Sequence, residues 1–251
     1  TFLKKLRTLF QRNLTPHITL LYFDFECNIK DTILSKKYSL HSYKPRPSWK
    51  RILQDDLSQN LITNNIPVVV TELANGGDLD KFLRKTKQTT DELFILFFQL
   101  FHVLTVAQYY FPGFRHNDLK PDNVLVHLYT KKPNTYTLYK MFGKDYYLPD
   151  IGITLKFWDF DFAEDDETHN SRSDRTFFNS FGFNKDKNPV YDIHMFLNTL
   201  YHYNNAYLTQ PIKNFIEKYL PPNIRGKEAK YTFHSRLSNY KITNDYNNST
   251  I

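Results

Sequence analysis

Cysteine is almost absent from these 251 residues: Cys27 stands alone, so the chain cannot form an internal disulfide and fits a reducing compartment. Glycine is scarce at seven residues. No apolar run approaches the roughly 18 residues of a membrane span, so a soluble protein is expected. The opening Thr1-Phe2-Leu3-Lys4-Lys5-Leu6 is too short and too mixed for a signal peptide. The formal charge of +7 and pI near 9.2 permit attraction to acidic partners or nucleic acid. Lysine and arginine are spread without a dense block, however, so nucleic acid is not indicated beyond a modest basic bias. Internal repeats are also missing.

What the chain has is apolar and aromatic mass. Hydrophobic residues make up 41% and aromatics 17%, with 22 Phe and 18 Tyr, too apolar for general disorder. The length allows one large domain or two small lobes. A chain that opens at Thr1 inside a helical pattern is expected to be a fragment or a processed product. Phe2, Leu3, Leu6, Leu9 and Phe10 recur at helical spacing over residues 1–14, and Ile18–Phe23 reads as a strand. Residues 30–66 are polar and basic and read as an insertion or long loop. Strand, glycine turn and helix follow over Pro67–Leu79, with Asp78 suited to an N-cap. A buried helix, capped by Thr90 or Asp91, carries Leu93, Phe97, Leu100 and Leu104 towards residue 110. Val124–Val126 and Ile153–Trp158 read as strands, separated by an irregular Tyr- and Lys-rich segment from Tyr129 to Gly152. Helices are expected from Pro189 and over Pro211–Leu220, and residues 222–251 look peripheral.

Between the buried helix and the strand at Val124 lies Phe114-Arg115-His116-Asn117-Asp118-Leu119-Lys120-Pro121-Asp122-Asn123. An Asp, a Lys two positions on and an Asn three further give a base, a cation and a metal-binding amide on one loop. Phosphoryl transfer needs that set. A polar turn before a strand would use similar residues, and Asp118-x-x-x-x-Asn123 alone does not exclude it. Asp159-Phe160, after the second strand, stands where a second metal ligand would be required. His102, His127 and His169 lack paired ligand spacing, which argues against zinc.

These motifs resemble the eukaryotic-type protein kinase family, Ser/Thr type, whose catalytic loop reads His-Arg-Asp-Leu-Lys-Pro-x-Asn. The details Glu72-Leu73-Ala74-Asn75-Gly76-Gly77-Asp78-Leu79, His116-Asn117-Asp118-Leu119-Lys120-Pro121-Asp122-Asn123 and Asp159-Phe160-Asp161 look most like divergent kinases of large DNA viruses. The resemblance implies an α+β, protein-kinase-like fold with a mainly helical large lobe and a partial β small lobe. Residues 1–73 would be the partial small lobe with its insertion and hinge strand. Residues 74–251 would be the large catalytic lobe, with an insertion near 129–152.

It further implies that Asp118 orients the substrate hydroxyl and that Lys120 steadies the γ-phosphate. Asn123 and Asp159 would hold Mg²⁺ against ATP, and Glu72, Leu73, Ala74 and Asp78 would contact the nucleotide. His116 would be structural, near the Asp159 turn, and Asp192 would tie the loop's backbone to the helix that follows Pro189. A protein substrate, no membrane and an intracellular, cytoplasmic location, in a host cell or a virion, follow from the same resemblance. Oligomeric state and the identity of the substrate stay open.

The chain also departs from the family. It shows no Gly-x-Gly-x-x-Gly loop, no Val-Ala-x-Lys strand, no helix glutamate and no Ala-Pro-Glu. Most of a small lobe is therefore missing from the sequence, and weak ATP binding by this chain alone is expected. Asp161 replaces a glycine and is expected to bond backbone amides rather than metal. A non-catalytic kinase-like scaffold, and a small-molecule kinase of the aminoglycoside or choline type, are the rival readings. Lys120-Pro121-Asp122 and the Gly76-Gly77-Asp78 hinge favour the protein kinase. Asn117 stands where the family's arginine grips a phosphorylated activation segment. Arg172 and Arg175 lie within that segment and could not tie it to the loop, so activity independent of phosphorylation is expected.

Overall fold

β-branched residues at Val68-Val69-Val70 and alternating side chains from Leu21 onward make the first ladder. Strand β1, Leu21–Asn28, runs antiparallel to β2, Asn65–Thr71, with Asp24 opposite Val69 and Cys27 opposite Ile66. In this computed structural model the described residues are 2–31, 34, 49–170, 189–220, 222 and 225. The chain divides into two compact units, Leu21–Glu72 and Thr1–Leu20 with Leu73–Ile251.

The smaller unit corrects two expectations. The strand expected over 18–23 begins at Leu21, because residues 17–19 are engaged in the larger unit. There the Thr19 amide and hydroxyl both donate to the Phe157 carbonyl, at 3.3 and 2.8 Å. Residues 30–66 are not simply a loop, since helix α2 spans Trp49–Ser58. Leu53 and Leu57, four apart, are half-buried in it, a short apolar signal within a polar stretch. Residues 32, 33 and 35–48 of that stretch lie outside the described residues.

The larger unit begins with α1, Phe2–Gln11, which buries Leu3, Leu6 and Leu9. Helix α1 belongs with this larger unit and not with residues 21–72. Asp78 caps α3, Leu79–Lys85, accepting from the Lys81 amide at 2.8 Å. The cap of α4, Thr90–Tyr110, is Thr89 and not Thr90 or Asp91. Thr89 and Glu92 exchange side-chain and backbone bonds as a capping box.

Helix α4 is, among the described residues, the one helix long and apolar enough to cross a membrane, which corrects the expectation that no segment approaches that length. Gln99, His102, Thr105 and Gln108 interrupt the apolar letters without lowering the average hydropathy enough. It is the core helix of this unit, burying Leu93, Leu96, Phe97, Leu100, Val103 and Leu104. Buried Gln99 fastens it to the neighbouring sheet, donating to Ile153 O at 2.9 Å and accepting from Leu155 N at 2.8 Å. Two amide bonds satisfy a polar group that would otherwise cost free energy in the core.

That sheet pairs β3, Val124–Leu128, antiparallel with β6, Ile153–Phe157. The segment between them is a regular hairpin rather than irregular chain. Strand β4, Tyr136–Met141, pairs with β5, Lys144–Pro149, around a turn at Phe142-Gly143. Both turn residues have positive φ, 50° and 73°, and glycine takes the second without strain. Tyr139 anchors the hairpin in the core. It is buried, its hydroxyl lies 3.0 Å from His17 Nε2, and its ring meets His102 edge-on at 4.9 Å.

The last helices are α5, Tyr191–Tyr203, and α6, Gln210–Tyr219. Phe97 of α4 packs against Phe196 of α5 and Phe215 of α6, each at 6.1 Å between ring centroids. Residues 171–188, and 223–251 apart from Arg225, lie outside the described residues.

Candidate active site

Helix α4 ends at Tyr110 with Phe111 as its cap, and Gly113, at φ 73°, turns the chain into the loop. Phe114 and Leu119 are buried anchors on either side of the polar residues. Asn117 has φ 63° and Asp159 has φ 61°, a left-handed region that Asn and Asp tolerate better than most residues. A one-turn 3₁₀ helix, Pro121–Asn123, then delivers the chain into β3. Proline at its first position removes an amide that would have had no partner there.

The loop brings Asp118, Lys120 and Asn123 together. Asn123 Nδ2 donates to the Asp118 backbone carbonyl at 2.8 Å and to its carboxylate Oδ2 at 3.0 Å. Lys120 Nζ reaches the same carboxylate oxygen at 3.3 Å. With the nitrogen of Asn123 committed to Asp118, its Oδ1 remains as a hard oxygen ligand atom. The donor set therefore suits a divalent cation that prefers oxygen.

Two further contacts fix the backbone around this group. Asp192, at the start of α5, accepts from the His116 amide at 2.7 Å and the Asn117 amide at 2.9 Å, one with each carboxylate oxygen. Burial pushes its carboxyl above the ordinary value, opposed by His116 and the two amides. Behind the loop, His116 Nε2 lies 2.8 Å from the Trp158 carbonyl, and its ring packs between Phe157 and Phe160. The Trp158 amide donates to the Asn123 carbonyl at 3.2 Å. Asp159 thus follows directly on a residue held by both His116 and Asn123. The Asp161 side chain is exposed, and its backbone carbonyl accepts from Asn170 at 2.8 Å.

In the smaller unit, Glu72 follows the end of β2. In the larger, the Leu73 side chain is exposed at 80%, and Ala74 opens a turn that is bound to β3. Asn75 exchanges two bonds with the Leu128 backbone, at 3.0 and 2.7 Å. Gly76 donates to Val126 O and Gly77 accepts from Val126 N, both at 2.8 Å. Asp78 is drawn in by the same turn, but its carboxylate also meets Lys81 Nζ at 2.6 Å. Its ligand atoms cluster with those of Asp80 and Asp122 within 4.8 Å of one another. Burial and the Asp80 charge push Asp122 up. Burial would also raise Asp80, but the Arg84 and Asn204 side chains outweigh it and hold Asp80 below the usual carboxylate range.

Sequence reasoning missed Arg115 and Glu164. They form a buried ion pair between the Asp118 loop and the segment after Asp159. Nearby, Lys5 of α1 meets Asp165 and, at 2.8 Å, Glu167. No local spacing announces either contact, since the partners lie far apart in the chain.

A mixed unit of helices and small antiparallel sheets, closed around this loop, is compatible with a kinase-like α+β fold. A profile of the poxvirus serine/threonine protein kinase family matches residues 74–237, more than half of the chain, and the chain belongs to that family. It is also similar to a protein of Acanthamoeba polyphaga mimivirus whose name assigns it provisionally to the serine/threonine-protein kinases. The two are 28% identical over 225 residues, which cover 85% of this chain and 48% of the relative. The chain therefore spans about half the length of the curated relative it matches.

Proposed function

We propose that the whole protein transfers the γ-phosphoryl group of ATP to Ser or Thr hydroxyls of a protein substrate inside the cell. The observation that carries this reading is the Asn123 amide bonded to both the carbonyl and the carboxylate of Asp118, with Lys120 on the same oxygen. A carboxylate held in that way can orient a hydroxyl and accept its proton as the bond to phosphorus forms. Lys120 would offset negative charge on the transferred group. Asn123 Oδ1 and the Asp159 carboxylate would hold Mg²⁺, which supplies neutralisation of the phosphate charge when bound. Glu72, Leu73 and Ala74 would offer backbone groups to the adenine, and Asp78 would lie towards the ribose.

The test is phosphate transfer from labelled ATP to Ser- and Thr-containing peptides by the full-length protein. Transfer that requires Mg²⁺ and disappears in Asp118→Asn is expected. A folded protein without transfer to peptide or protein would favour a non-catalytic scaffold, and transfer to small hydroxylated amines alone would favour a small-molecule kinase.

A further inference from the structure

The segment after Asp159 is bound to the Asp118 loop by an anion of its own. Glu164 and Arg115 are 8% and 3% exposed, and the guanidinium Nη2 meets the carboxylate Oε1. The same oxygen accepts from Asn117 Nδ2 at 3.1 Å, and that amide also donates to the Phe162 carbonyl at 2.9 Å. The backbone closes the contact in both directions. Arg115 N donates to Glu164 O at 2.9 Å, and Glu164 N to Arg115 O at 3.0 Å. Just beyond, the Asp166 amide donates to Pro112 O at 3.0 Å, and Lys5 holds Asp165.

A carboxylate and a guanidinium withdrawn from water stay charged only when well paired and hydrogen-bonded. Removing one partner of such a pair leaves the other buried and uncompensated, so the contact acts as a latch rather than as a surface attraction. In many kinases the corresponding negative charge arrives by phosphorylation and orders the segment through arginine. We infer that Glu164 is a resident anion that holds residues 160–168 on the catalytic loop without phosphorylation. It is a positioning residue for the transfer and rests on the kinase reading above. It also gives Asn117 a role: its neutral amide bonds both Glu164 and the Phe162 carbonyl without adding a second buried cation beside Arg115.

The experiment compares full-length wild type with Glu164→Gln and Glu164→Asp by amide hydrogen exchange and by steady-state kinetics. In Glu164→Gln, exchange at the amides of residues 162–168 should rise at least tenfold, while α4 and α5 are unchanged. Turnover should fall about tenfold with the KM for ATP within twofold, and Glu164→Asp, which keeps the charge, should recover part of the loss. Phosphatase treatment should leave wild-type turnover unchanged. If Glu164→Gln fails to unfold cooperatively, Asn117→Ala replaces it, with about a threefold rise in exchange at the same amides. Unchanged exchange in folded Glu164→Gln overturns the latch, as does a tenfold loss of wild-type activity after phosphatase. Raised exchange in the variant with an inactive wild type supports the latch and overturns the kinase reading instead.

Discussion

Asp192 and His116 are joined by a bond of 2.7 Å from the His116 amide to the Asp192 carboxylate, and the other oxygen takes the Asn117 amide at 2.9 Å. All three residues are buried, so no bulk water stands ready to replace the carboxylate. Asp192→Ala should therefore cost about 2–4 kcal/mol of stability, the order expected when two buried amides lose their acceptor. Urea unfolding of the two proteins measures it. A loss below about 1 kcal/mol would show that the loop finds other acceptors.

Asp159→Ala should abolish Mg²⁺-dependent turnover in the full-length protein, and Asn123→Ala should lower it about a hundredfold or more. Asn123→Ala removes the amide from the Asp118 carboxylate as well as a candidate metal ligand. Activity of Asp159→Ala equal to wild type in a peptide assay would refute the proposed roles.

Buried histidines should make the protein acid-sensitive. Burial pushes His17 down to about 3, His102 to about 4 and His194 to about 3. Since Leu155 O can only accept, His17 carries its proton on Nδ1 and takes the Tyr139 hydroxyl on Nε2. Below about 6.5 the unfolded chain binds protons that the folded chain refuses, so stability is complete above that pH and falls as pH drops towards the folded values. Each histidine contributes a slope of up to about 1.4 kcal/mol per pH unit. Asp192, raised by burial, has the opposite sign: its stabilisation is present at low pH and is lost as pH rises. The diagnostic measurement is therefore a comparison. His102→Leu should flatten the fall in stability between about pH 6.5 and 4, and an unchanged slope would overturn the assignment.

Neighbouring glycines should respond unequally to alanine. A Cβ at Gly76 would lie 2.8 Å from both Val126 Cγ1 and the Val126 carbonyl oxygen, whereas at Gly77 it would meet open space. Gly76→Ala must displace the turn from β3 and should cost about 2 kcal/mol or more. Gly77→Ala carries only the strain of φ 76°, about 1 kcal/mol. Thermal unfolding of both variants decides, and equal losses would contradict the packing argument.

What could be read from the sequence was what is local. His116–Asn123, Asp78 as a cap and the helices at α4, α5 and α6 announce themselves through spacing, capping residues and apolar period. Asp192 was legible only by resemblance, and its contact to two amides joins positions 75 residues or more apart. The hairpin at 136–149 escaped because Tyr, Thr and Lys alternate there with few aliphatic residues, and its Tyr139 is the buried exception. Strand β1 was placed too early because Ile18 and Thr19 carry strand-forming side chains but are claimed by Phe157. The Arg115–Glu164 pair had no signal at all, since charge pairing across a fold leaves no period in the chain.

Tyr139 also bears on how such a chain can change over generations. The hairpin's tip, Phe142-Gly143, touches little that the site depends on, and drift in its length or composition would leave the β3–β6 ladder in register. Tyr139 is different, because its ring fills space between His17 and His102 and its hydroxyl completes the bonding of His17. The hairpin therefore supplies part of the interior of this unit. Deleting it in one step would open a hole lined with the imidazoles of His17 and His102, so the tip is the part open to change and the root is not.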